Sequence, residues 1–188
     1  MKFPRLFRDP AAKDAAHRIY SRIVEQSRLP AFYVDCGVED TPDGRFDMIA
    51  LHASLILRRL KRDGEASAEL AQEVFDLMFA DMDQNLREMG VGDIGVGKRV
   101  KGMAQGFYGR LAAYDAGLAA PSDEDLMAAL KRNLFRKSSP ADAQVAAVAA
   151  YVRRESASMD SQATEAFIMG TVNFGPPPNS DLEENDER

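Results

Sequence analysis

The residues that look most like a chemical site form the glycine-rich stretch GVGDIGVGKR, residues 90–99. Gly92, Gly97 and Lys98 match the spacing of a phosphate-binding loop, in which backbone N–H groups and a lysine hold a nucleoside triphosphate. In such loops the next residue carries a hydroxyl for magnesium, whereas here it is Arg99. The stretch also follows a long amphipathic helical pattern instead of a strand. We therefore predict that it reverses the chain between two helices and binds no nucleotide.

A second candidate site is DMDQN, which places Asp81, Asp83 and Asn85 at positions 1, 3 and 5 of a calcium loop. Leu86 occupies the position where such a loop requires glycine, and Gly92 occupies the position where it requires glutamate. The pattern around these residues is helical, so residues two apart face different sides. We predict no metal site. These polar groups either pair with cations across the glycine turn or form a solvated helix face.

His52 lies on the apolar face of a predicted helix, where an axial haem ligand or a general base would be the functional alternatives. The only other histidine is His17 and the only cysteine is Cys36, so no zinc-binding set can be formed. We predict a hydrogen-bonded core histidine. The sequence contains no nucleophile elbow, paired catalytic carboxylates or Ser–His–acid set. It therefore predicts a protein that is not an enzyme and has no cofactor.

The composition indicates one globular domain. The chain has 188 residues, of which 45% are hydrophobic, and a formal net charge of -6. No apolar run approaches the roughly 18 residues of a membrane span, which predicts a soluble protein. Much of the negative charge lies in the terminal DLEENDER, and the balance elsewhere is too even for sequence-specific nucleic-acid recognition.

The periodicity predicts an all-α fold of about six or seven helices. Residues 30–44 lose this periodicity and are predicted to form the main loop, with TPDG as a turn. Glycines 102, 106 and 109 lie inside a predicted helix and are expected to allow another helix to approach closely. The predicted helices cover about residues 10–28, 46–62, 66–89, 95–118, 122–136, 139–156 and 166–169.

The ends of the chain differ from the helical region. We expect a basic and apolar N-terminal arm over residues 1–9, a helical domain over 10–174 and a disordered acidic tail over 175–188. The arm combines apolar and cationic residues, as in weak interfacial anchors. Its predicted membrane contacts are Phe3, Arg5, Phe7 and Arg8.

Three stretches resemble one family. FDMIALHASLILRRL at 46–60, DMDQNLREMGVGDIGVGKRVKGMAQGFYGRLAAYDAGL at 81–118 and LKRNLF at 130–135 are similar to the ubiquinol-cytochrome c chaperone family, which includes mitochondrial assembly factors for cytochrome b. The resemblance covers about residues 10–170. It implies an all-helical, non-enzymatic chaperone of the alphaproteobacterial type.

The resemblance also implies partners and a location. The client would be newly made cytochrome b, bound during biogenesis of the ubiquinol-cytochrome c reductase at the cytoplasmic face of the inner membrane. Mitochondrial members act with a small partner subunit and near the ribosomal exit, so both are candidate partners. As a hypothesis, we assign client binding to a polar and basic set around the glycine turn and to the adjoining FYGR. This set is Asp83, Asn85, Arg87, Glu88, Lys98, Arg99, Lys101, Phe107, Tyr108 and Arg110.

Two alternatives remain open from the sequence. One is a helical carrier of a small hydrophobic ligand, haem or lipid, that would use His52 and the methionine-rich interior. The other is a general interaction module recruited to membranes. The same ten residues could also serve only to fix the crossing of two helices.

Overall fold

The computed structural model describes residues 10–178, which form eight α-helices and contain no β-strand. This confirms the all-α prediction. None of the helices in this range is both long and apolar enough to span a bilayer. The helices are α1 Pro10–Ser27, α2 Ala31–Val34, α3 Pro42–Arg62, α4 Ala68–Glu88, α5 Asp93–Ala119, α6 Glu124–Asn133, α7 Asp142–Ser161 and α8 Thr164–Ile168, with a 3-10 turn at Gly64–Ala66.

Helix α3 is the centre of the domain and packs against α1, α4, α5 and α7. Its apolar residues occupy most of its circumference, which is typical of a helix buried on several sides. Thr41 caps the N-terminus by accepting the Gly44 N–H at 3.1 Å, and Pro42 occupies the first helical position. Cations occupy the last turn, where they interact favourably with the negative end of the helix dipole.

Two predictions for residues 30–44 were wrong. TPDG is not a separate turn but the cap and first turn of α3, because Thr-Pro is also the start signal of a helix. Gly44 packs so closely on the Glu39 carbonyl that a Cβ would lie 2.0 Å from its oxygen. The segment predicted as a loop also contains the short helix α2, which buries Phe32 in the core.

The glycine-rich stretch reverses the chain between α4 and α5, as predicted. Gly90 has a φ of 82°, the left-handed conformation that ends a helix and favours glycine. The expectation that glycines inside α5 allow close helix packing was wrong for Gly102 and Gly109, because a Cβ at either position would meet no atom within 4 Å. The close approach occurs at Gly117, where a Cβ would lie 2.7 Å from the Leu126 Cα on α6.

The segment after α8 packs along α1 and α7. Val172 is buried, and the Phe174 ring lies edge-on to His52 with centroids 5.3 Å apart. Gly175 donates its N–H to Glu155 and its carbonyl accepts from Gln26, each at 2.8 Å. Residues 175–178, which were assigned to a disordered tail, therefore contact the domain. The prediction for the remaining tail, and the predicted contacts Phe3, Arg5, Phe7 and Arg8 in the arm, lie outside the described residues.

Candidate functional site

A cleft of about 660 Å³ opens between the first turns of α3, the last turns of α4 and the first half of α5. Its apolar lining is Phe46, Ile49, Met82, Leu86, Met89 and Met103. Its cationic lining is Arg28, Arg45, Arg99, Arg110 and Arg136. Asp43 and Asp81 are its acidic residues, and Pro42, Asn85 and Gly102 complete it. The cleft thus combines an apolar floor with a surplus of cations.

A buried ion network supports the base of the cleft. Asp47 of α3 is only 2% exposed, and its two carboxylate oxygens accept from Arg110 Nη2 and Arg136 Nε, both at 2.8 Å. The Arg110 guanidinium also lies over the Phe46 ring, 5.7 Å from its centroid. The network joins α3 to α5 and to the loop after α6. It fixes two cleft-lining cations on the scaffold.

Burial is the largest influence on the Asp47 carboxyl and raises its pKa above the ordinary value. The neighbouring Arg136 and Arg110 act in the opposite direction, because they stabilise the carboxylate. The same contact raises the pKa of the Arg136 guanidinium, so this cation stays charged. The Asp47 carboxylate at the base of the cleft is therefore kept charged by its pairing with two arginines, which offsets the free-energy cost of its burial.

Three of the ten predicted client-binding residues line the cleft. Arg99 is exposed on its α5 wall and has no ion pair within residues 10–178. Asn85 lines the α4 wall and donates to the Asp81 carbonyl at 2.8 Å. Arg110 lines the cleft but is committed to Asp47, so its first role is to hold α5 on α3.

The side chains of the predicted polar cluster on α4 are paired mainly with other residues of the same helix. Arg87 Nε contacts Asp83 at 2.5 Å in the same helix, and Arg87 Nη1 contacts Asp93 at the start of α5. Glu88 accepts from Gln84 at 3.0 Å. Arg87 thus spans the glycine turn, and it does so by pairing with an acid. Asp83, Arg87 and Glu88 do not line the cleft.

The other predicted residues on α5 face different surroundings. Lys98 and Lys101 are exposed, have no ion pair in the described part of the chain and lie outside the cleft lining. Tyr108 is exposed and stacks on Phe75, with ring centroids 5.4 Å apart. Phe107 is fully buried against Phe75 and Phe79, so its ring offers no surface to a client. Phe107 is therefore a core residue and not part of the predicted client-binding surface.

The model of the Ubiquinol-cytochrome C chaperone family matches residues 34–174, which include α3 to α8 and most of the cleft. The chain belongs to this family. The match to FDMIALHASLILRRL and to the α4–α5 stretch is thereby confirmed as a family resemblance. This chain is similar to the crystal structure of a Cbp3 homolog from Brucella abortus, with a TM-score of 0.79 and 37% sequence identity. The match covers 92% of this chain and 93% of the Brucella chain.

Curated relatives of this family member are named as ubiquinol-cytochrome c reductase complex assembly factor 1. The Mus musculus protein is 30% identical over 165 residues, and the Homo sapiens protein is 29% identical over 165 residues. The Xenopus laevis protein is 28% identical over 157 residues. The alignments cover 87%, 87% and 84% of this chain and 56%, 55% and 78% of the respective relatives. The chain spans little more than half the length of the mouse and human proteins.

His52 is a core residue of this family member, as predicted. Its Nε2 bonds the Tyr151 hydroxyl at 2.8 Å, and its Nδ1 lies 2.9 Å from both the Ser27 hydroxyl and the Met48 carbonyl. Burial lowers the pKa of the imidazole to about 4. Both ring nitrogens are therefore engaged by protein atoms, so neither is free in this structure to bind a haem iron. Among residues 10–178 there is also no group of His, Cys, Asp and Glu that could hold a metal ion.

Sequence reasoning missed several residues of the cleft. Arg28, Arg45 and Arg136 come from three distant parts of the chain and carry no local motif. One available signal was Asp47, an acid inside the long apolar stripe of α3. A buried carboxylate requires a cationic partner. The stripe therefore indicated that at least one arginine packs onto this face of the helix.

Proposed function

We propose that this protein is a non-enzymatic chaperone that binds newly made cytochrome b and so assists assembly of the ubiquinol-cytochrome c reductase. Its family membership supports the assembly role. Binding and release would constitute the whole mechanism. A membrane subunit that emerges before its neighbours are in place exposes apolar surface, and a protein that covers this surface prevents aggregation.

The observation that carries the proposal is the open, apolar-floored cleft in a member of this family. Met82, Ile49 and Phe46 form a nearly buried floor, whereas Met89 at its edge is 60% exposed. Methionine and phenylalanine side chains adapt to different apolar partners. Arg99 on the wall adds a cation without an ion pair among the described residues. We propose that this surface, with Asn85, contacts the client.

Affinity purification of the full chain from membranes, with proteins identified by mass spectrometry, tests the proposal. Cytochrome b should be recovered with the wild-type chain. Arg99→Glu should lower its recovery severalfold, because a carboxylate replaces a cation of the cleft. Lys101→Glu is the matched control, since Lys101 is an exposed cation of the same helix that does not line the cleft.

The proposal has two ways to fail in this experiment. A wild-type purification without cytochrome b would reject the client. Equal recovery with Arg99→Glu and with the wild type would place the client surface elsewhere, and Lys98 together with Tyr108 would be the next surface to change. The same mass spectra would reveal a small partner subunit or ribosomal proteins if either engages this chain.

We also propose peripheral attachment to the cytoplasmic face of the inner membrane through the N-terminal arm. Each cation near an anionic surface contributes about 1 kcal/mol, and the arm adds apolar side chains to its cations. Removal of residues 2–8 should weaken sedimentation with anionic liposomes and leave helical content unchanged. Unchanged sedimentation would assign membrane contact to another surface.

A further inference from the structure

The charges of the cleft do not follow those of the whole chain. The full sequence has a net charge of -6, but five arginines line the cleft beside two aspartates. Both aspartates have partners in the fold, since Asp43 contacts Lys137 and Asp81 accepts from the Tyr20 hydroxyl at 2.7 Å. The cleft is therefore a cationic site in an acidic protein.

The arginines of the cleft divide into two groups. Three have carboxylate partners in the protein itself, because Arg45 pairs with Asp40 while Arg110 and Arg136 share Asp47. Arg28 at the end of α1 and Arg99 on α5 are exposed and form no ion pair with any residue between 10 and 178. These two cations are available to an incoming group.

The α5 wall of the cleft has room for a backbone to approach. Gly102 lines the cleft one turn after Arg99, and a Cβ at this position would meet no atom within 4 Å. The opposite side presents the apolar side chains of α3 and α4. An apolar groove with cations at its edge fits an amphipathic helix, whose anchors recur at i, i+3, i+4 and i+7.

We propose that the cleft holds an acidic amphipathic helix of the client, with its apolar face on Phe46, Ile49 and Met82 and its carboxylates toward Arg28 and Arg99. This proposal rests on the proposed function for the identity of the client. It adds the chemical class of the bound segment. A volume of about 660 Å³ suits the side chains of one helix face over about two turns.

Three synthetic peptides of about 18 residues test the chemistry directly. All carry leucine at the same helical positions, and they differ only in having glutamate, glutamine or lysine on the flanks. Fluorescence anisotropy with the full chain should show the glutamate peptide bound at least about tenfold more tightly than the lysine peptide. Raising the salt from about 0.05 to about 0.5 M should remove most of this difference.

Two pairs of variants locate the binding. Gly102→Leu places a bulky side chain in the cleft without weakening the helix, since leucine is a strong helix former, and it should abolish binding of the glutamate peptide. Gly97→Leu is the control, because Gly97 lies about 140° around α5 from Gly102 and is equally free of contacts. This control should bind the glutamate peptide as the wild type does. Arg99→Glu should reduce the preference for the glutamate peptide by about tenfold, and Lys101→Glu should have a much smaller effect. Circular dichroism of all four variants should match the wild type.

Equal binding of the glutamate and lysine peptides would overturn the proposal, as would full binding by Gly102→Leu. Binding of phosphatidylglycerol vesicles that depends on Arg99, without peptide binding, would assign the cleft to a lipid headgroup and would also overturn it. The proposed function fails separately. If the glutamate peptide binds and Gly102→Leu blocks it while cytochrome b is absent from the purification, the chemistry of the cleft stands and the client is a different protein.

Discussion

Arg110 of α5 donates from Nη2 to the Oδ1 atom of Asp47 on α3 at 2.8 Å, directly beneath the cleft. Since Asp47 is almost fully buried, the carboxylate depends on Arg110 and Arg136 to remain charged inside the domain. The same two arginines line the cleft. The buried ion network thus contributes both to the packing of α5 on α3 and to the charge of the cleft, so a substitution in the network alters both.

Asp47→Asn should lower the free energy of unfolding by about 2 kcal/mol, somewhat less than for a fully buried pair because Arg136 is 36% exposed. The amide keeps the shape of the carboxylate but leaves Arg110 without a counterion and Arg136 with only the exposed Asp43. Urea denaturation measures the effect. Asp43→Asn is the control, because Asp43 is an exposed partner of the same Arg136 and should cost less than about 0.5 kcal/mol. Equal losses would mean that the buried network adds no stability beyond a surface pair.

Gly117→Ala should destabilise the domain by about 1–3 kcal/mol, because the added Cβ would lie 2.7 Å from the Leu126 Cα and push α6 away from α5. Thermal denaturation checks this. Gly97→Ala, in the same helix but free of contacts, should instead stabilise by up to about 1 kcal/mol through helix propensity. A neutral Gly117→Ala would show that α6 can shift without loss of packing.

Mild acid should destabilise the fold through His52. Its pKa is lowered by burial from 6.5 to about 4, so folding favours the neutral ring. The stabilisation that comes from the neutral His52 ring is complete above pH 6.5 and is lost as the pH falls toward 4. At pH 5 the loss amounts to about 2 kcal/mol of unfolding free energy. Urea denaturation at pH 7 and pH 5 measures this slope, that is, the change in unfolding free energy between the two pH values.

The matched variants for this slope are His52→Gln and His17→Gln. The first should lose most of the difference between pH 7 and pH 5, whatever its effect on stability at pH 7. The second replaces an exposed histidine and should keep the wild-type slope. Asp40 and Asp142, whose pKa values are lowered by Arg45 and Lys131, contribute at lower pH and do not obscure this window. An unchanged slope in His52→Gln would contradict the assignment.

Truncation after Thr171 should lower the free energy of unfolding by about 4 kcal/mol. It removes the buried Val172 side chain and the Gly175 N–H that bonds the buried Glu155 carboxylate. Truncation after Pro178 is the control and should retain wild-type stability in the same denaturation assay. If both shortened chains are equally stable, the segment along α1 and α7 contributes little to the fold.

The sequence predicted most helices because caps and apolar spacing are local signals. Starts marked by serine and proline, and the glycines after α3 and α4, located several helix ends to within a few residues. These local signals failed where the same residue pair can begin two different kinds of structure. Thr41-Pro42 begins both turns and helices, and only the packing of Gly44 against Glu39 shows which one forms.

The site was less predictable because its residues are brought together by tertiary packing. Arg99 and Asn85 were found from their nearness to the glycine turn, but so were Asp83 and Glu88, which do not line the cleft. Local spacing could not separate these pairs, since it does not tell which side of α4 or α5 faces α3. The buried acid on α3 was the one local sign of a distant cationic partner.

The lining of the cleft extends from Arg28 to Arg136, so its walls are synthesised at well-separated times. At the usual rates of translation, about 5–20 s pass between these two residues leaving the peptidyl-transferase centre. Asp47 likewise waits for both of its arginines. A half-made chain has neither the floor nor the charges of the finished cleft. Under the proposed function, a copy of this protein can bind a nascent client only after its own synthesis and folding are complete. The number of finished copies present at that moment would then set the binding capacity.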